Sequence, residues 1–311
     1  MKVKRNSLRR IIDINMTVLL LLQMAYQVMG EAAHEWLGMS MTALVIVHQI
    51  LNRRWYGAML KGRYSAYRAV STCVNVLLLA SFALTAFCGM AMSNYAVPFM
   101  YGIVRVSLVR LTHLSMSHWS FVLMGLHLGL HLPVMLAKLN PKAAARRALS
   151  VACAAAAGVG LWLFLRNGMP NYMFFRVPFA FLDYDKAGLL VLIENVAMLL
   201  FWAFMGWQAA LLLQGAGKGR KAQDPLLPVV LMLVSIVLGL ALNTIWPGQN
   251  DTGFEGSGWG GGRFGQSPTA IAKLAPDSDI GQGLSVHYSG GASLADDVAR
   301  WLAENRLEGE A

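Results

Sequence analysis

The chain has 311 residues, of which 56% are hydrophobic and only 14% charged, with a formal net charge of +10. Soluble domains carry roughly a quarter charged residues, so a mean hydropathy of +0.49 excludes an ordinary soluble domain and points to the bilayer. The positive balance does not describe a nucleic-acid face, because Lys and Arg stand in short clusters between apolar runs, the loop pattern of a multispanning protein.

In chain order, the basic segment MKVKRNSLRR precedes an apolar run without a small-residue cleavage site, which reads as a retained first span rather than a removed signal peptide. A helix needs about 20 apolar residues to cross a membrane. Seven stretches are predicted to do so: 11–29, 32–52, 68–92, 113–137, 148–166, 188–214 and 226–246. The second is the most polar, and Glu31, His34 and Glu35 mark one of its ends as interfacial. Counting Lys and Arg in the connections sets the orientation. With the N-terminus inside, inner segments hold 17 basic residues and outer connections 5, so the C-terminus is expected outside. Glu194, near the outer end of the sixth span, is expected to snorkel to the interface. Residues 247–262 are Gly-rich and polar, as in a linker. Beyond them SLADDVARWLAENRL reads as an amphipathic helix capped by Ser293. Cys73, Cys88 and Cys153 fall inside apolar runs, as small core residues do.

Six of the seven histidines stand in two of the spans: His34 and His48 in the second, His113, His118, His127 and His131 in the fourth. Ionisable side chains inside a membrane are costly and point to function. His34 and His48 are 14 residues apart, and so are His113 and His127. On a helix that spacing returns to within about 40° of the same face and separates the pair by about 21 Å along the axis. Both spans run from outside to inside, so His34 is expected level with His113 and His48 with His127. Two facing imidazoles at each level make two bis-histidine sites of the kind that hold haem iron. His131, one turn beyond His127, is an alternative inner ligand, or a partner for a haem propionate or a quinone. His118 lies about 140° from His113 and is expected to point to another helix. Zinc fits less well, because no Cys or carboxylate completes a three- or four-ligand set.

Other residues give weaker signals. Arg105 and Arg110 on the outer side, and Arg53, Arg54 and Arg63 on the inner, suit haem propionates. Gly38, Gly89, Gly125 and Gly129 allow close approach of a macrocycle or, equally, of another helix. Trp36, Trp55 and Trp119 read as interface anchors. His287 reads as an ordinary surface residue.

HEWLGMSMTALVIVHQILNRRWYGAMLKGRY at 34–64 and HLSMSHWSFVLMGLHLGLH at 113–131 resemble the flavinylation-associated cytochrome domain, a small prokaryotic membrane module. The resemblance covers roughly residues 10–137. It implies a four-helix dihaem bundle, ligated through His34, His48, His113 and either His127 or His131 of HLGLH. It also implies a bacterial cytoplasmic-membrane location and a flavin-bearing partner outside the cytoplasm. In the tail, EGSGWG at 255–260, SPTAIAKLAPDSDIGQGLSV at 267–286 and DDVARWL at 296–302 resemble the last third of a flavodoxin-like domain. The phosphate-binding loop of such a domain has no counterpart here, so a complete FMN site within this chain is not expected.

The expected molecule is therefore an all-α membrane protein of about seven transmembrane helices. Residues 1–137 form a dihaem cytochrome domain, 138–246 three further spans, and 247–311 a small extramembrane tail. Its expected function is electron transfer through two haems b, from a quinol or another inner-side donor to a flavin or metal acceptor outside. A transporter or proton relay is the main alternative, and a metal-binding scaffold the next. No residue is singled out as catalytic.

Overall fold

Long apolar runs leave the backbone few ways to satisfy its own N–H and C=O groups in lipid, and the helix is the local one. The computed structural model describes residues 5–139, 143–177, 179–180, 182–215 and 226–246, and among them there is no strand. The helices are α1 (Arg5–Met24), a single turn α2 (Tyr26–Met29), α3 (Glu31–Leu51), a short α4 (Arg54–Met59), α5 (Ala66–Ala91), α6 (Val106–Leu139), α7 (Ala143–Arg166), a short α8 (Met169–Met173), α9 (Gly188–Gly215) and α10 (Leu226–Ile245). The tail, with its Gly-rich linker, amphipathic helix, flavodoxin-like segments and His287, lies outside the described residues.

Among the described residues, five helices are long and apolar enough to cross a membrane: Ala66–Ala91, Val106–Leu136, Arg147–Arg166, Gly188–Gln214 and Leu226–Ile245. This makes the chain a multi-pass membrane protein. The sequence predicts seven spans, and the two that differ are α1 and α3. Both are long enough, at 20 and 21 residues. However, α1 carries Arg5, Arg9, Arg10 and Asp13, and α3 carries Glu31, His34, Glu35, His48 and Gln49. The polar groups that draw attention to α3 are the ones that lower its apolarity. Gly30, with φ +74°, joins α2 to α3 in a left-handed conformation that favours glycine.

The long helix α6 lies between α5 and α9. Helix α7 packs on the far side of α9, and α10 packs on α7. Helices α1 and α3 pair with each other; α3 reaches α5, and α1 reaches α9. A core containing Leu20, Met41, Phe121, Phe164 and Met198 joins α1, α3, α6, α7 and α9. Apolar side chains such as Leu77 and Leu84 on α5 and Leu233 and Val237 on α10 face outward, as lipid-facing residues do.

Small residues set the tightest seam. A Cβ placed on Gly129 would lie 2.0 Å from the Ala203 carbonyl oxygen, one on Gly125 2.5 Å from Trp202 Cβ, and one on Gly206 2.5 Å from the Leu126 carbonyl oxygen. For Gly125 and Gly129, helix packing is thus the observed role. Gly38 faces Gln23 of α1, and Gly89 faces His113.

Glu194 does not snorkel. It is 7% exposed, accepts a hydrogen bond from Asn167 Nδ2 at 3.0 Å and pairs with Lys186. The chain before α9 folds back to supply that lysine, which was not legible in the span pattern. Lys186→Met leaves a buried carboxylate without its cation and is expected to lower stability by roughly 3 kcal/mol. Thermal unfolding in detergent checks this, with Glu194→Gln expected to lose less. All three cysteines are free: Cys88 is buried as expected, Cys153 half-buried, and Cys73 exposed on α5 rather than in a core.

Candidate functional site

The histidines of α3 and α6 meet at one end of the bundle. The rings of His34 and His113 face each other with centroids 6.2 Å apart and planes at 72°. Tyr26 sets its ring against the other side of His34 at 5.1 Å. At the other end, His127 and His131 are ring neighbours at 4.7 Å, and both lie within electrostatic range of His48 and Asp13. The ring of His48 makes no recorded contact with either. His34 and His113 meet at one end, and His48, His127 and His131 lie towards the other without ring contact between the helices, so α3 and α6 run in the same direction, as the spacing predicts.

Helix α3 packs on α1 and α5, but its backbone does not pack closely along α6. The facing imidazoles are held across this separation by other helices. His113 and His127 are half-buried.

Hydrogen bonds fix the chemistry of each ring. His113 Nδ1 is 2.8 Å from the Thr85 carbonyl oxygen. His127 Nδ1 is 2.8 Å from Asn75 Oδ1, and His48 Nδ1 is 2.8 Å from Asp13 Oδ1. Each of these oxygens only accepts, so each Nδ1 carries the proton and donates it. In a neutral imidazole the lone pair is then on Nε2, the nitrogen left for a metal. Among the described residues no hydrogen bond engages Nε2 of these three or of His34. The Nδ1 of His34 is buried without a hydrogen bond; the Gln23 backbone lies beside it but outside hydrogen-bond geometry.

The end of α3 at His34 is pinned by its neighbour Glu35. That carboxylate accepts from Ser93 Oγ at 2.7 Å and from the backbone N–H groups of Asn94, Tyr95 and Ala96 at 2.9, 2.7 and 2.9 Å. One side chain thus joins α3 to the connection between α5 and α6, and fixes His34 against His113.

Not every sequence candidate comes to the site. Arg105 stands before α6 and Arg110 near its start; both are exposed, and their side chains make no hydrogen bond or ion pair to a described residue. His118 points away from His34. It donates from Nδ1 to the Leu114 carbonyl at 2.7 Å and stacks on Tyr172 of α8 at 4.8 Å. Trp36 is 58% exposed, as an anchor would be. Trp119 is not an anchor: its Nε1 donates to the Met173 carbonyl at 3.1 Å, because the α8 turn folds over that face of α6. Sequence reading missed Asp13, Asn75 and Thr85. Asn75 is a polar residue inside an apolar run, a signal of the kind that singled out the histidines. Thr85 acts through its backbone, which no sequence pattern shows.

Of the two expected pairs, only His34 and His113 meet the spacing of a bis-imidazole site; His48 and His127 make no ring contact. Two imidazoles bound to one metal through bonds of ~2.0 Å, with ring centres about 1 Å further out, have centroids roughly 6 Å apart. The 6.2 Å between His34 and His113 meets that figure. Among the described residues no three His, Cys, Asp or Glu side chains converge as a zinc site requires.

No family model, curated protein or solved structure matches this chain. The resemblance to the flavinylation-associated cytochrome domain therefore rests on the residues quoted for it.

Proposed function

We propose that this protein carries electrons across a membrane through two b-type haems, one ligated by His34 and His113 and the other by His48 and His127. The observation that carries the proposal is the pair of facing imidazoles on α3 and α6 at 6.2 Å, with Nε2 left free. When bound, haem iron supplies reversible one-electron chemistry. The chain would supply imidazole nitrogens to hold it, oriented through Thr85, Asn75 and Asp13. On this reading α1 and α3 also span the bilayer, giving seven spans with the N-terminus cytoplasmic. The membrane is then the bacterial cytoplasmic one. The donor is a quinol or an inner-side protein, and the acceptor a flavin-bearing or metal-bearing protein outside.

The inner ligand is assigned to His127 rather than His131. His127 is half-buried and oriented by Asn75, whereas His131 is exposed and has no recorded hydrogen bond. His127→Ala is expected to lower haem from two to one per chain, and His131→Ala to keep two; a pyridine haemochrome assay against protein concentration checks both. The overall reading is tested by a reduced-minus-oxidised spectrum of the purified protein. Sharp α and Soret bands with two haems per chain are expected. A featureless spectrum sinks the proposal and returns the histidines to a proton relay.

A further inference from the structure

The connection between α3 and α5 is built around one guanidinium. Arg68, in the first turn of α5, donates to the carbonyl oxygens of Ala58, Lys61 and Arg63 and lies 4.3 Å over the Tyr64 ring. Ser65 caps α5 by accepting from the Arg68 backbone N–H at 3.3 Å, and Gly62 takes φ +80° in the turn so enclosed. On the other arm, Tyr56 donates to Gln49 Oε1 of α3 at 2.7 Å. The connection is thus tied to both of the helices it joins.

What it presents outward is positive and apolar together. Arg53, Arg54, Lys61 and Arg63 are exposed, and their side chains make no hydrogen bond or ion pair to a described residue. Leu60 is 87% exposed, and Tyr56 and Tyr64 are exposed near it in the chain. The chain offers these cations little counter-charge. No Asp or Glu stands between Glu35 and Asp183; Glu35 lies at the opposite end of α3, and Asp13 is bonded to His48. The next residue after Ser65 begins a helix long and apolar enough to cross a membrane, so the connection lies at headgroup level. Cations there meet phosphates, and exposed Leu and Tyr meet the boundary between headgroups and acyl chains.

We propose that the connection 53–64 is a binding site for anionic phospholipid. Arg53, Arg54, Lys61 and Arg63 take the headgroup phosphates, while Leu60, Tyr56 and Tyr64 enter the headgroup–acyl boundary. Each cation near an anionic membrane surface contributes roughly fivefold in association. A free phosphate would leave Leu60 facing water, so the occupant is the lipid. The inference is independent of what the histidines hold.

The test uses the full chain with a fluorophore on Gly57→Cys, a position with nothing within 4 Å of its Cβ. Cys73→Ser and Cys153→Ala remove the accessible native thiols, Cys88 being buried. The protein is reconstituted in phosphatidylcholine vesicles holding a rising share of phosphatidylglycerol that carries a nitroxide quencher high on its acyl chain. Nitroxide-bearing phosphatidylcholine is the comparison. Quenching by the anionic lipid is expected to reach half its limit at a roughly tenfold lower share. That preference should disappear in the combined variant Arg53→Gln, Arg54→Gln, Lys61→Gln, Arg63→Gln. It should also disappear for the unaltered connection at about 1 M salt, where the Debye length is about 3 Å; this arm carries the test if the variant fails to fold. Equal quenching by the two lipids, or a preference that survives the variant or the salt, overturns the proposal. So does a preference abolished by millimolar inorganic phosphate at constant ionic strength, which assigns the cations to a free anion.

Discussion

His113→Ala is expected to yield protein with one haem per chain in place of two. The loss follows from geometry: His34 and His113 face each other at 6.2 Å, and no third His, Cys, Asp or Glu converges there among the described residues. His34→Ala should give the same stoichiometry, and the double variant should lose no more than either single one. That equivalence distinguishes a shared site from two independent ones, and haem per chain is the readout. His118→Ala is the control. Although only five residues from His113 in sequence, it stacks on Tyr172 and should keep both haems. If His113→Ala retained two haems, the pairing of α3 with α6 would be wrong.

The largest stability effect is expected at Gly129. An alanine Cβ there would sit 2.0 Å from the Ala203 carbonyl oxygen and 2.7 Å from the Trp207 nitrogen, both backbone atoms of a packed helix. The seam between α6 and α9 must open to admit it, at a cost of roughly 3 kcal/mol or more, the upper end of ordinary overpacking. Gly57→Ala is the comparison, since nothing lies within 4 Å of its Cβ position; it should leave stability near that of the parent. Thermal unfolding of detergent-solubilised protein separates the two, and a Gly129→Ala transition unchanged from the parent would contradict the seam.

Much of this architecture was legible before any coordinates. The 14-residue spacing of His34 with His48 and of His113 with His127 gave the parallel course of α3 and α6 and the meeting of His34 with His113. It worked because helical geometry fixes depth and azimuth together. The spacing of His118 gave its turn away from that pair on the same ground. What sequence could not give was whatever depends on a second chain segment arriving. Lys186 reaches Glu194, and the Met173 carbonyl takes Trp119, through folds of the α8 region that have no periodicity. Thr85 orients His113 with its backbone, for which side-chain identity is silent. Asp13 was hidden for a different reason: it follows Arg9 and Arg10, and nothing in the sequence marks it as a partner for a histidine 35 positions away.

The glycine seam and His127 occupy nearly opposite sides of α6, with Gly125 and Gly129 about 160° around the helix from that histidine. One side is seated against α9 by backbone contact, so the azimuth of the other is dictated by residue count alone. A single inserted residue between His113 and Gly125 would swing His113 by about 100° from its mate while His127, on the seated part, kept its place. Length change in that window is therefore barred by geometry rather than by chemistry. Among natural variants of this chain, that stretch should keep its length even where its side chains drift.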